Sequence, residues 1–212
     1  MDIVNYLTNI YGYDTPIFLK DVRIGGKSKS AIREEFYRAT KRGDISRDGP
    51  GVYSLVNKSN KLSPVVTFEK ILTRKFIYDS NPIQGLEDLY IVGFYSGLTF
   101  LNMIGISQQV PAVLEITTNK TSSKKSIYGA LGRTAIIRKA RTKITFQNYK
   151  MIQFLDMFYF VPLDEIKKNK ELLRKYIKKN QLSKNQFVEY VKLYKDQTIK
   201  KIVEGGLIDA FI

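Results

Sequence analysis

KSAIREEFYRATKRGDISRDGPGVYSL, residues 29–55, is the stretch on which the fold turns. Ile32, Phe36 and Ala39 recur at spacings of four and three, the period of one buried helix face. Arg33, Tyr37 and Lys41 fall on a different face. Ser28 or Ser30 can cap the helix start, and Gly43 is a natural stop. Beyond it Ile45 and Arg47 alternate to one side, and Val52, Ser54 and Val56 alternate after Asp48-Gly49-Pro50-Gly51, a run of strong turn formers. The stretch therefore predicts a basic helix, a glycine stop and a tight two-stranded hairpin.

Working upstream, residues 2–11 set Ile3, Val4, Leu7 and Ile10 on one helical face that ends at Gly12. Thr15 and Pro16 suit the N-cap and first position of a second, short helix, with Phe18 and Leu19 as its buried side and Gly25-Gly26 as its end. Three short helices and a hairpin within residues 1–58 form the layout of a winged helix-turn-helix. In that layout the third helix enters the major groove and the hairpin wing lies against the DNA backbone. The expected DNA-facing residues are Lys27, Ser28, Lys29 and Ser30 at the helix start, Arg33, Tyr37, Lys41 and Arg42 along it, and Arg47 on the wing. Arg33 is the expected base contact, since a guanidinium grips guanine in bidentate fashion, while Lys and Ser favour phosphate. A solvated helix beside a hairpin would carry the same charges. It is the whole module, more than its charge, that points to double-stranded DNA.

Downstream, the polar run 58–64 ends at a proline and reads as a linker. Residues 65–161 mix types. They predict a helix over 65–75, a buried segment from 86–92, a helix in SGLTFLNMIGI and a strand over 110–119. Further strands are expected in SIYGALGRTAIIRKA and TKITFQ, then an apolar helix over 148–161. Residues 162–212 predict a helical extension of two Lys-rich amphipathic helices, one from Asp164 and one from Ser183. The expected class is α+β, with a winged helix-turn-helix, a mixed α/β domain and a helical C-terminal extension.

Composition narrows the function. The 212 residues include 35 Lys and Arg against 20 Asp and Glu, a net charge of +15, and 43% are hydrophobic. That is apolar enough for real cores and basic enough to favour an anionic partner. The charge is spread: +3 over residues 1–60, +7 over 61–160 and +5 over 161–212. The chain has no Cys and no His, which removes disulfides, thiolate metal sites and every Ser-His or Cys-His mechanism. Apolar runs fall short of the about 20 residues a bilayer requires, and the first residues lack the pattern of a secretory signal, so a cytoplasmic protein is expected. Neither GxxxxGK[ST] nor GxGxxG is present, and no cofactor is expected. An enzyme would need a cluster such as Asp79, Glu115 and Lys120 for metal-dependent nuclease chemistry, but nothing in their spacing demands it. GALGR, residues 129–133, reads as a turn.

Three segments together resemble one family. KSAIREEFYRATKRGDISRDGPGVYSL resembles the winged-helix domain of the AbiEi-family antitoxins of type IV toxin–antitoxin, or abortive-infection, systems. GFYSGLTFLNMIGISQQVPAVLEITTNK, residues 93–120, is similar to that family's "SALxLLGL" helix followed by "TQVPAxxxxxT" and a strand. KITFQNYKMIQFLDMF, residues 143–158, is similar to its "I-x-x-E-N-x-x-x-LQLLD" helix, with Gln147 where an acidic residue is more usual. The resemblance spans residues 1–161. It implies a bacterial phage-defence protein that represses its own operon by binding operator repeats through the winged helix. It also implies that the second domain counteracts a nucleotidyltransferase toxin, directly or indirectly, with no catalysis of its own. Two alternatives stand beside it: a winged-helix regulator whose second domain senses a ligand in a closed apolar pocket, and a metal-dependent nuclease.

Overall fold

The computed structural model describes residues 2–60, 65–79 and 90–212; the expected linker from 61 onward and the segment 86–89 lie outside them. The chain is a mixture of α-helices and small β-sheets and divides into two compact units. The first comprises residues 1–89 and 129–134, the second residues 90–128 and 135–212.

In the first unit, α1 (Ile3–Tyr11) starts where the Asp2 carboxylate accepts the Val4 N–H at 3.1 Å. It buries Ile3, Leu7 and Tyr11, three positions on one stripe. A second helix does not follow Thr15-Pro16. Ile17–Phe18 forms a two-residue strand, β1, and Leu19–Asp21 a single 3-10 turn. The reason lies in burial: Ile17 and Phe18 are both enclosed, and consecutive buried residues suit a strand covered on both faces better than one stripe of a short helix. α2 (Lys29–Lys41) matches the expected basic helix, with Ser28 as its cap and Ile32, Phe36 and Ala39 buried. The hairpin pairs β2 (Ile45–Gly49) with β3 (Val52–Leu55). β1 joins the far side of β3, giving the order β1-β3-β2, all antiparallel. A bulge between Arg47 and Gly49 breaks the expected alternation, so Asp48 turns inward. The core joins α1, β1, α2 and the hairpin around Leu7, Ile17, Phe36 and Ile45, with Tyr53 edge-on to Phe36 at 4.9 Å. α3 (Phe68–Leu72) continues into a π-helical turn, Thr73–Ile77, and a two-residue strand β4 (Tyr78–Asp79).

The second unit opens with β5 (Tyr90–Ile91) and β6 (Gly93–Tyr95), then α4 (Gly97–Met103). β7 (Leu114–Thr118), β8 (Lys125–Ala130) and β9 (Arg133–Lys139) complete a sheet of order β6-β7-β9-β8, of which only residues 129–134, around the β8–β9 turn, are grouped with the first unit. Within it β7 and β9 run parallel, with Thr117 opposite Arg138 and Thr118 opposite Lys139. GALGR is the turn between β8 and β9, as read. TKITFQ is not a strand. The Asn119 side-chain amide takes both backbone groups of Ile144, accepting its N–H and donating to its carbonyl, each at 2.9 Å, so this backbone has its hydrogen bonds without a ladder. α5 (Tyr149–Met157) is nearly all buried. Instead of two long helices, the tail forms α6 (Leu163–Lys168), α7 (Lys170–Lys179), α8 (Lys184–Val191) and α9 (Asp196–Glu204). Asn169, at φ −102°, ψ 18°, departs from helical geometry and separates α6 from α7. The four helices pack Ile166, Leu173, Ile177, Phe187 and Ile202 into one core with Phe154 and Phe158 of α5. Among the described residues no helix is long and apolar enough to cross a membrane.

Candidate nucleic-acid interface

The outward side of α2 is built by the same spacing that buries its inner side. With Ile32, Phe36 and Ala39 turned to the core, Lys29, Ser30, Arg33, Tyr37 and Lys41 are left exposed. Ser28 Oγ accepts the Ala31 N–H at 3.2 Å and meets Ser30 Oγ at 2.9 Å. Both hydroxyls therefore shape the helix start, where the helix dipole adds partial positive charge.

The nine sequence-derived residues divide by their local partners. Lys27 pairs with Glu35 at 2.5 Å, and Arg42 with Asp44 at 2.8 Å. Asp44 also holds Lys58 at 2.7 Å, and hydrogen bonds from Lys58 and Arg42 keep its carboxyl below the usual carboxylate range. Lys41 reaches back over the exposed Tyr37 ring, 5.6 Å from its centroid. Arg33, Lys29 and Arg47 have no acidic partner among the described residues. Arg47 is exposed on β2, opposite Tyr53 in the ladder.

Lys29 and Arg33 share one feature that the other seven do not. They line a cleft of about 370 Å³ whose far walls are the 3-10 turn and the hairpin tip at Pro50-Gly51. Lys20, Arg23 and Lys75 line the same cleft, and no acidic residue does. Arg23 is held by its own turn, donating from Nη1 to the Lys20 and Val22 carbonyls at 2.6 and 2.9 Å. The Lys75 ammonium lies 5.4 Å from the Phe18 ring centroid. Five cations from three separate segments thus converge on one concavity with an apolar floor of Phe18 and Ile32. Such a surface offers multiple charge-assisted donors to an oxyanion.

Lys20, Arg23 and Lys75 were not singled out by the sequence. Lys20 and Arg23 lay in what read as a helix with only its apolar side assigned. Lys75 lies more than thirty residues beyond the end of α2, and no local pattern ties the two together.

No protein-family model, curated protein or solved structure matches this chain.

Asp79, Glu115 and Lys120 are the residues the sequence offered for metal chemistry. Asp79 belongs to the first unit, Glu115 and Lys120 to the second. Glu115 is buried, and its Oε2 accepts from Arg138 Nε and Nη2 at 3.0 and 2.7 Å. Among the described residues no three acidic side chains group so as to hold a metal ion.

Proposed function

We propose that this chain is a double-stranded-DNA-binding repressor whose first unit acts as a winged helix-turn-helix, and that it serves as an antitoxin of the AbiEi type against a nucleotidyltransferase toxin. The observation that carries the DNA reading is the convergence of Lys20, Arg23, Lys29, Arg33 and Lys75 on the cleft between α2 and the hairpin tip. Two further features support it. The hairpin follows α2 directly, and β1 completes the sheet in the order β1-β3-β2, so that a helix and a hairpin tip stand side by side, as helix and wing do. The exposed side of α2 also carries Ser30, Arg33, Tyr37 and Lys41, donors that suit base edges and phosphates.

In this reading α2 lies in the major groove, Arg33 reaches a guanine, and the DNA backbone runs along the basic cleft, its phosphates meeting the other cations there. Glu34, on the same exposed side, is neutralised by Arg38 at 2.9 Å. The antitoxin role rests on the resemblance of residues 93–120 and 143–158.

The test is a titration of the purified chain against the duplex immediately upstream of its own coding sequence, beside an unrelated duplex. The wild type should prefer the upstream duplex. Arg33→Ala should lose about 1–3 kcal/mol of that preference with an unchanged melting temperature. Equal affinity of the wild type for both duplexes defeats the repressor reading. For the antitoxin role, the chain should restore growth to cells expressing the nucleotidyltransferase encoded beside it, and failure to do so removes that role.

A further inference from the structure

The second unit carries an open crevice of about 490 Å³ at the carboxyl ends of its two parallel strands. Parallel neighbours finish at the same edge, so the segments that follow them meet there, and in open sheets this edge is where ligands collect. β9 brings Arg138 and Lys139 to the rim, the segment just after it brings Arg141, and the loop after β7 brings Lys124. Facing them are Asp156 and Tyr159 near the end of α5, and Lys195 just before α9.

The two guanidiniums are fixed in place. Arg138 is bound to Glu115 and lies 5.4 Å from the Phe160 ring centroid. Arg141 contacts Asp156 at 3.4 Å and lies 4.8 Å from the Tyr194 ring centroid. Lys124, Lys139 and Lys195 are exposed and have no acidic partner among the described residues. Asp156 is the one acidic side chain in the lining. It is 8% exposed, and the Thr117 hydroxyl donates to it at 3.3 Å. The crevice is therefore strongly cationic. Its aromatic wall is equally specific: Tyr159 is 63% exposed, and its ring stands edge-on against Phe160 at 5.2 Å. An exposed ring beside unpaired ammonium groups is the pairing that takes a base and its phosphates together.

The basic track is short. Lys201, in the adjoining concavity, is turned inward and donates to the Phe158 and Val161 carbonyls at 2.9 and 2.6 Å. The volume falls in the range of small-ligand sites, which suits one nucleotide better than a strand.

We propose that this crevice binds a free nucleoside phosphate, its phosphates held by Lys124, Lys139, Lys195 and Arg141 and its base stacked on Tyr159. The site is independent of the DNA-binding face of the first unit. The experiment is isothermal titration of the full chain with ADP, GDP, pyrophosphate and a 12-nucleotide oligothymidylate. At least one nucleotide should bind at one per chain. The double variant Lys124→Gln/Lys139→Gln should weaken that nucleotide and pyrophosphate at least tenfold. Tyr159→Ala should weaken the nucleotide and leave pyrophosphate unchanged, which a general loss of structure would not do. Lys29→Gln/Arg33→Gln should leave nucleotide binding intact. The proposal is overturned if neither nucleotide binds at millimolar concentration, if the Lys124/Lys139 variant binds as the wild type does, or if oligothymidylate alone binds.

Discussion

Two kinds of charged residue behave differently in this chain, and Asp156 shows the costlier kind. Its carboxyl is buried on α5, where desolvation outweighs the Arg141 and Thr117 contacts and holds its pKa above the usual carboxylate range. The folded protein therefore takes up this proton more readily than the unfolded chain, where an aspartate titrates near about 3.9. Its contribution to stability is full below that value and is lost as pH rises through the folded-state pKa. The expected outcome is that wild type loses stability relative to Asp156→Asn as pH rises from about 4 towards neutrality. Melting temperatures of the two proteins across that range check it, and a constant gap would mean that the carboxyl titrates alike in both states. At the residue scale the sequence conveyed types but not partners. Arg33 and Lys29 were legible because helical spacing fixes their side of α2. That Lys27 would meet Glu35, or that Lys75 would stand across the cleft from Lys29, depends on where the chain returns in space.

Elements were legible where the local signals agreed. α2 has a serine cap, a stripe at helical spacing and a glycine stop, and it formed as expected. Where the signals were thinner, tertiary contacts decided. Thr15-Pro16 has the chemistry of a helix start, yet Ile17 and Phe18 pair with Tyr53 and Val52 of β3. TKITFQ has strand composition, yet a single asparagine supplies the hydrogen bonds that a neighbouring strand would have given Ile144. α4 illustrates a constraint that only the structure displays. Gly97 begins the helix at φ +56°, and a Cβ there would press against the Glu115 carboxylate, the group that fixes Arg138. Gly97→Ala is expected to cost more than about 1 kcal/mol, since alanine is strained at positive φ and the contact adds to it. A double-mutant cycle with Glu115→Ala separates the two causes. Steric conflict makes the double variant less unstable than the sum of the singles, whereas backbone strain alone leaves them additive. Denaturation midpoints read both outcomes.

For the whole molecule the controlling quantity is a net charge of +15, which bears on stability and on binding with opposite signs. Excess positive charge repels itself in the compact state. Raising sodium chloride from about 0.02 to 0.2 M shortens the Debye length below about 10 Å and relieves that repulsion. Screening also weakens the exposed ion pairs, such as Arg38–Glu34 and Lys70–Asp14, but each of these is worth about 0–1 kcal/mol and the cations outnumber the anions. The melting temperature should therefore rise with salt, by roughly 2–4 °C for each kcal/mol recovered. DNA affinity should fall over the same range. If Lys20, Arg23, Lys29, Arg47 and Lys75 each neutralise a phosphate, the slope of log affinity against log salt should be about −4.5. Chloride serves for both measurements, because sulfate would stabilise the fold by a separate route. A melting temperature that falls with salt would mean that the ion pairs outweigh the repulsion. A binding slope near zero would mean that phosphates are not what these residues hold, and the cations of the cleft would then need another anion to explain them.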